Sequence, residues 1–162
     1  MAISTILLLW PANNSFMIKT KVFDAVNKPT NPEKTETINF LFDNLQEYGD
    51  PKNDIQKAID YSIKEFDSFG GFTMLIKEDT KIVGVTVINK TGMGGYIPEN
   101  ILVYIATHKD YRGRGLGKTL MQKAIDYCKG DIALHVEADN PAKHLYEKMG
   151  FTNPYLEMRL KK

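Results

Sequence analysis

Residues Tyr111-Arg112-Gly113-Arg114-Gly115-Leu116-Gly117-Lys118 set three glycines at alternate positions among three cations. Glycines so placed let the backbone bend tightly and turn successive N–H groups outward. An apolar run, Ile101–Thr107, precedes the bend, and an amphipathic helical pattern, Leu116–Lys129, follows it. A helix starting there aims unpaired donors and the positive end of its dipole at whatever occupies the turn. With Arg112, Arg114 and Lys118 at the same spot, the chemistry is that of a phosphate or pyrophosphate site. Two familiar glycine loops fail on spacing. A P-loop needs Gly five positions ahead of Gly117-Lys118-Thr119, where Arg112 stands. The dinucleotide fingerprint begun at Gly113 and Gly115 needs Gly at 118, where Lys118 stands. A plain strand-to-helix turn with solvated charges is the bland alternative.

A second constellation lies downstream: His135-Val136-Glu137-Ala138-Asp139-Asn140-Pro141, then Leu145-Tyr146 and Gly150-Phe151. Together with Arg-x-x-Gly-x-Gly at Arg112, Gly115 and Gly117, it resembles the two spaced motifs of the GNAT N-acetyltransferase superfamily, over about Glu99–Phe151. The resemblance implies acetyl-CoA as co-substrate. Its pyrophosphate would lie on Arg112, Gly113, Arg114, Gly115, Leu116, Gly117 and Lys118, held chiefly by main-chain N–H groups. Its pantetheine arm would run beside Ile105, Ala106 and Thr107 as a strand-like neighbour. The Ile105 N–H would polarise the thioester carbonyl. Tyr146 falls on the position whose hydroxyl serves the departing thiolate, and a phenol with an ordinary pKa of ~10 is protonated at neutrality. Asn140 falls on a position that orients the cofactor arm, and it is equally a helix N-cap. Glu99 precedes the strand that leads into the site, where some members carry a water-relaying glutamate, and it is the expected base. His108 is its rival, because histidine is the side chain that ordinarily titrates near neutrality. His135 and His144 read as surface or structural. Lys109, two residues before Tyr111, replaces a proline common in the family.

Composition bounds the rest. A chain of 162 residues fits one domain, and 43% hydrophobic with 25% charged residues is ordinary for a globular protein. A net charge of +1 gives no general attraction to nucleic acid or anionic lipid, and no aromatics interleave the Arg112/Arg114 cluster. The single cysteine, Cys128, excludes an internal disulfide and a multi-cysteine zinc site, and it falls on the apolar side of a helix. No His/Cys/Asp cluster supports a metal. Residues 1–16 read as an N-terminal extension to a domain over 17–162. Within them Ile6–Trp10 is too short to span a bilayer and lacks a basic n-region. Without a targeting signal, and with scarce cysteine, the expected location is cytoplasmic.

The elements that must position these residues follow from periodicity. Lys19–Ala25 alternates as a strand, and Asn27–Lys34, with Pro29 and Pro32, reads as a loop. Thr35–Tyr48 and a segment from Asp54 to about Phe66 carry helical stripes. Phe72–Lys77 and Lys81–Asn89 form a hairpin, and Val83, Val85 and Val87 suggest unequal sheet faces. Ile101–Thr107, Leu116–Lys129, Ile132–Val136 and a helix between Pro141 and Gly150 come next. From Phe151 onward Leu156, Met158 and Leu160 alternate as a closing strand. The order β-α-α-β-β-β-α-β-α-β gives an α/β (α+β) domain, a mixed and mostly antiparallel twisted sheet with about four helices, as the resemblance also implies.

The expected function is therefore transfer of an acetyl group from acetyl-CoA to a primary amine, by direct attack through a tetrahedral intermediate. A CoA-binding regulatory or structural module of the same fold is the alternative. The acceptor is not legible. Glu36, Glu47 and Asp50 would suit a cationic amine, although acidic helix faces are commonly just solvated. The second motif is similar to that of ribosomal-protein alanine N-acetyltransferases, and small-molecule amine acetyltransferases share it. A homodimer is open, with Ile6–Trp10 as a candidate contact.

Overall fold

The computed structural model describes residues 18–162. The expected extension, with Ile6–Trp10, lies outside them. Strands β1 (Ile18–Phe23), β2 (Gly71–Glu78), β3 (Lys81–Lys90), β4 (Asn100–Thr107) and β5 (Ile132–Leu134) form one sheet in that order. The first four pair antiparallel, and β5 joins β4 in parallel. Helices α1 (Asn31–Leu45), α2 (Lys52–Ser62), α3 (Leu116–Tyr127) and α4 (Ala142–Lys148) flank this sheet. The fold is thus the single mixed-sheet α/β domain that the periodicity predicts. Among the described residues no helix is long and apolar enough to cross a membrane.

Two cores hold the layers together. On one face α1 and α2 bring Ile38, Leu41, Ile55 and Ile59 against Phe23, Leu75, Val85 and Val87. On the other, α3 and α4 bring Leu116, Leu120, Met121 and Tyr146 against Met74, Ile76, Val83 and Leu102. Strand β3 is buried throughout Ile82–Asn89, because helices cover both of its faces rather than one. The expectation of unequal faces is corrected accordingly.

Three boundaries differ from expectation. Helix α1 starts at Asn31, inside the predicted loop. Thr30 caps it by accepting from the Glu33 N–H while the Glu33 carboxylate accepts from the Thr30 N–H, and Pro32 fits the first turn. Helix α2 ends at Ser62, so Phe66 stays outside it. The closing strand does not form: residues 151–162 carry no regular structure, and Leu156, Met158 and Leu160 are exposed.

Two register shifts matter for position. Val83 is an extra residue between Ile82↔Lys77 and Gly84↔Ile76. Val103 is likewise extra between Leu102↔Ile88 and Tyr104↔Val87. Such a bulge inverts the alternation beyond it. Leu102 therefore belongs to the α3–α4 core, whereas Tyr104 and Ala106 face α1 and α2.

Candidate functional site

Strand β4 pairs with β5 only over Asn100–Leu102, opposite Ile132–Leu134. Beyond that point the two part, and Val103–Thr107 keep sheet neighbours on the β3 side alone. The gap becomes a cavity of ≈ 790 Å³. One wall is β4 from Ile101 to Thr107, and the other is His135–Glu137 with Asn140–Ala142 and Tyr146. Asn44–Tyr48 and Asp50, from the α1–α2 connection, close one side, and Glu157 and Arg159 also line it. Tyr48 bridges the mouth, its hydroxyl donating to the Asp139 carbonyl at 3.4 Å. Burial, followed by the negative charges of Asp139, Glu47 and Glu137, raises the Tyr48 pKa.

The glycine bend continues from the end of β4. His108 Nδ1 accepts from the Asp110 N–H at 3.2 Å, which shapes a short turn over Lys109–Tyr111. Arg112 Nη2 donates to the Asn44 carbonyl at 2.9 Å, and the Lys109 N–H donates to Asn44 Oδ1 at 3.0 Å. These two bonds tie the bend to the last turn of α1. Gly113 and Gly115 take φ values of 76° and 77°, which glycine adopts without a Cβ penalty. The first helical hydrogen bond of α3 runs from the Thr119 N–H to the Gly115 carbonyl at 3.0 Å. The N–H groups of Leu116, Gly117 and Lys118 thus stand ahead of the ladder, at the positive end of the helix dipole. The arginines are otherwise engaged: Arg112 holds α1, and Arg114 lies 5.1 Å from the Tyr111 ring centre. Main-chain donors and the exposed Lys118 side chain are what the bend has left for an anion.

Tyr146 projects from α4 into the α3–α4 core and also reaches the cavity. It packs edge-on to Phe151, ring centres 6.0 Å apart, and burial pushes its phenol up to about 12. Asn140 Oδ1 accepts from the Ala142 N–H at 2.9 Å, so this side chain caps α4 while lining the cavity. The cavity therefore gathers Ile105, Ala106, Thr107, Arg112, Asn140 and Tyr146. The rest of the bend, Gly113, Arg114, Gly115, Leu116, Gly117 and Lys118, continues from Arg112 outside the lining.

Glu99 is not among the lining residues. Its carboxylate accepts from the Asp131 N–H at 2.8 Å, where Gly130 and Asp131 turn from α3 into β5. That bond holds the carboxyl below the usual range, which weakens it as a base. The expectation of a base at Glu99 meets a carboxylate occupied in a turn. His108 is likewise outside the lining and acts as the cap described above. Three further residues line the cavity: Tyr104, to which the sequence assigns no role, Asp50, which it offers only as suiting a cationic amine, and His135. Tyr104, turned by the bulge at Val103, donates its hydroxyl to Asp50 Oδ2 at 2.5 Å, and burial first, then this bond, raises its pKa. Asp50 ends the α1–α2 connection. His135, set aside as structural, stands with Nε2 3.6 Å from Glu157 Oε2. The bulge, the one signal that would have turned Tyr104 inward, is a matter of pairing and not of local pattern. Cys128 is half-buried, and burial pushes its thiol up to about 11, as suits an inert side chain.

A five-stranded mixed sheet splayed at β4 and β5, with a donor-rich bend opening the following helix, defines an α/β domain with a cleft between two strands. The model of the Acetyltransferase (GNAT) family matches residues 36–151, and the chain belongs to that family. Among relatives, a 54-residue stretch is 37% identical to cysteine-rich protein 2-binding protein of Mus musculus, covering 33% of this chain and 7% of that one. An 85-residue stretch is 27% identical to N-alpha-acetyltransferase 30 of Schizosaccharomyces pombe, covering 49% of this chain and 57% of that one. These stretches span less than two thirds of either relative. Among solved structures, the NatC complex bound to Gag peptide and CoA shares the fold, with a TM-score of 0.62 and 20% identity over 83% of this chain and 84% of that one.

Proposed function

We propose that the chain transfers an acetyl group from acetyl-CoA to a primary amine, by direct attack of the neutral amine on the thioester. The observation that carries the proposal is the union of two features: a cleft where β4 loses its β5 neighbour, and a bend with free N–H groups at one end of it. Acetyl-CoA is an elongated molecule with an anion at its middle and amides along its arm, so it suits both features. Leu116, Gly117 and Lys118, with Gly113, Arg114 and Gly115, would hold the pyrophosphate through main-chain donors. Ile105, Ala106 and Thr107 would offer their free edge to the amides of the arm. Asn140, fixed by its bond to Ala142, would present its amide nitrogen to that arm.

The chemistry then needs a proton removed from the amine and one supplied to the departing sulfur. Tyr146, protonated at neutrality, would donate to the thiolate as the tetrahedral intermediate collapses. The proton acceptor is better sought in the cavity wall, at His135 or Asp50, than at Glu99, whose carboxylate is held by Asp131. The name of the S. pombe relative supports an amine acceptor, at 27% identity. Free CoA thiol released from acetyl-CoA, followed across peptide α-amines and small primary amines, tests the proposal. Amine-dependent release is the expected result. Acetyl-CoA that binds without any amine-dependent release would leave a non-catalytic CoA-binding module. Failure of every CoA species to bind would remove the basis of both readings.

A further inference from the structure

Helix α1 ends against the glycine bend, and Asn44 makes the join. The last carbonyls of a helix have no partner within it, and a cation placed there also meets the negative end of the dipole. At α1 the Asn44 carbonyl takes the Arg112 guanidinium at 2.9 Å. The Asn44 side chain is buried, with Oδ1 accepting from the Lys109 N–H at 3.0 Å and Nδ2 donating to the Phe40 carbonyl at 2.8 Å. The bond to Phe40 orients the amide so that its oxygen faces the bend. The His108 ring fills the same junction, 6.3 Å from the Phe40 ring and 5.5 Å from that of Tyr111. Two residues on, Gln46 takes φ of 55° with ψ of −131°, a conformation that a residue with a Cβ keeps only where its surroundings impose it. The Gly49 N–H then closes a short turn on the Gln46 carbonyl at 3.1 Å, and a Cβ at Gly49 would fall 2.8 Å from Leu45 Cβ. Gln46, Glu47, Tyr48 and Asp50, which follow from this kink, line the cavity.

We propose that Asn44 is a positioning residue for the acceptor wall: it sets Gln46–Gly49 by the cofactor bend, so that CoA seated on the bend holds this wall in place. Resting on the acetyl-CoA reading, this adds the residue through which one side of the site acts on the other. The outward N–H groups of Leu116, Gly117 and Lys118 and the inward bonds of Lys109 and Arg112 belong to one short segment. A ligand on the first group takes freedom from the second, and Asn44 receives both inward bonds. The wall has little else to hold it. Tyr48 bonds across the mouth to the Asp139 carbonyl at 3.4 Å, long for a hydroxyl donor. Asp50 is fixed at the far end by Tyr104, which leaves Gln46–Gly49 as the span that Asn44 governs.

Hydrogen–deuterium exchange of the full chain, with and without saturating CoA, tests it. In the wild type CoA should slow exchange at the bend, 112–118, and also at 46–49 by about threefold or more. Asn44→Leu keeps the bulk but removes both side-chain bonds. It should keep the slowing at the bend and lose it at 46–49. Asn44→Asp, whose oxygen can still accept from the Lys109 N–H, should recover the response. A merely structural role would speed exchange at 46–49 in Asn44→Leu and leave the effect of CoA there intact. Should circular dichroism find Asn44→Leu unfolded, Arg112→Met cuts the main-chain tie instead and should uncouple 46–49 in the same way. Slowing at the bend without slowing at 46–49 in the wild type would overturn the proposal and leave the acetyl-CoA reading standing. A response at 46–49 that survives in Asn44→Leu or Arg112→Met would overturn it equally. No slowing anywhere would overturn the acetyl-CoA reading and this proposal together.

Discussion

Burial of Tyr146 sets what its hydroxyl can do. With the phenol pushed up to about 12, the proton stays in place as pH passes 10.0, where an ordinary tyrosine would lose it. A pH profile of kcat should therefore show no descending limb from this group in that range. Tyr146→Phe should lower kcat by about 10²-fold while leaving the Kd for acetyl-CoA unchanged, because a donor to the leaving group acts only as the bond breaks. The glycines of the bend differ in why they are needed. At Gly115, with φ of 77°, an added Cβ meets nothing, so the penalty there is backbone strain. At Gly117 a Cβ would lie 3.4 Å from Leu145 Cδ2 and 3.9 Å from Thr107 Cγ2. Gly117→Val would push on α4 next to Tyr146 as well as crowd the donors. Isothermal titration should find CoA affinity reduced more by Gly117→Val than by Arg114→Ala, whose guanidinium lies over Tyr111. An equal or larger loss in Arg114→Ala would mean that side-chain charge, not the main chain, holds the anion.

At the scale of elements, α1 owes its first turn to a capping box that also carries charge. Thr30→Ala should cost about 1 kcal/mol, read from chemical denaturation. Glu33 bonds to Lys21 and to the Thr30 N–H, and these hold its carboxyl down at about 2 against an ordinary 4.5. A depressed folded-state pKa stabilises the fold fully above the unfolded value and is lost as pH falls through the folded one. The stability gap between wild type and Glu33→Gln should therefore shrink from pH 4.5 toward about 2, and a gap that widened on acidification would contradict the assignment. Helix α3 sits close on the sheet because Gly84 leaves room. A Cβ there would fall 2.7 Å from Ile76 Cγ1 and 3.2 Å from Leu120 Cδ2. Gly84→Val should destabilise by roughly 1–3 kcal/mol, measured as a shift in the urea midpoint at unchanged slope.

At the scale of the whole molecule, the sheet is complete on one side and open on the other. Four strands pair along much of their length, whereas β5 contributes three residues and then leaves β4 unpartnered. A ligand lying in that gap binds the folded state alone and must stabilise it. Acetyl-CoA at about 100 times its Kd should add about 2.7 kcal/mol, a rise in Tm of roughly 5–10 °C for a chain of this length. An unchanged Tm in the presence of CoA would separate the cleft from any cofactor.

The bend and the elements around it were legible because each depends on neighbours in the chain. Glycines at alternate positions, a helical stripe after them, and the Asn140–Pro141 start of α4 are local patterns, and α3 and α4 lie where they point. Even the misread start of α1 was written locally, in Thr30, Pro32 and Glu33. The cavity wall was not legible, because it depends on pairing between distant segments. One extra residue at Val103 turns Tyr104 toward Asp50, and a three-residue ladder between β4 and β5 decides where the sheet opens. Glu99 shows the same limit from the other side: its position before a strand was visible, but its carboxylate is taken by a turn that only the return of α3 into β5 creates. The alternation of Leu156, Met158 and Leu160 predicts a strand, and among the described residues it has no ladder. Alternation determines which side chains share a face, while a strand exists only where another backbone supplies the hydrogen bonds, and that is decided in three dimensions.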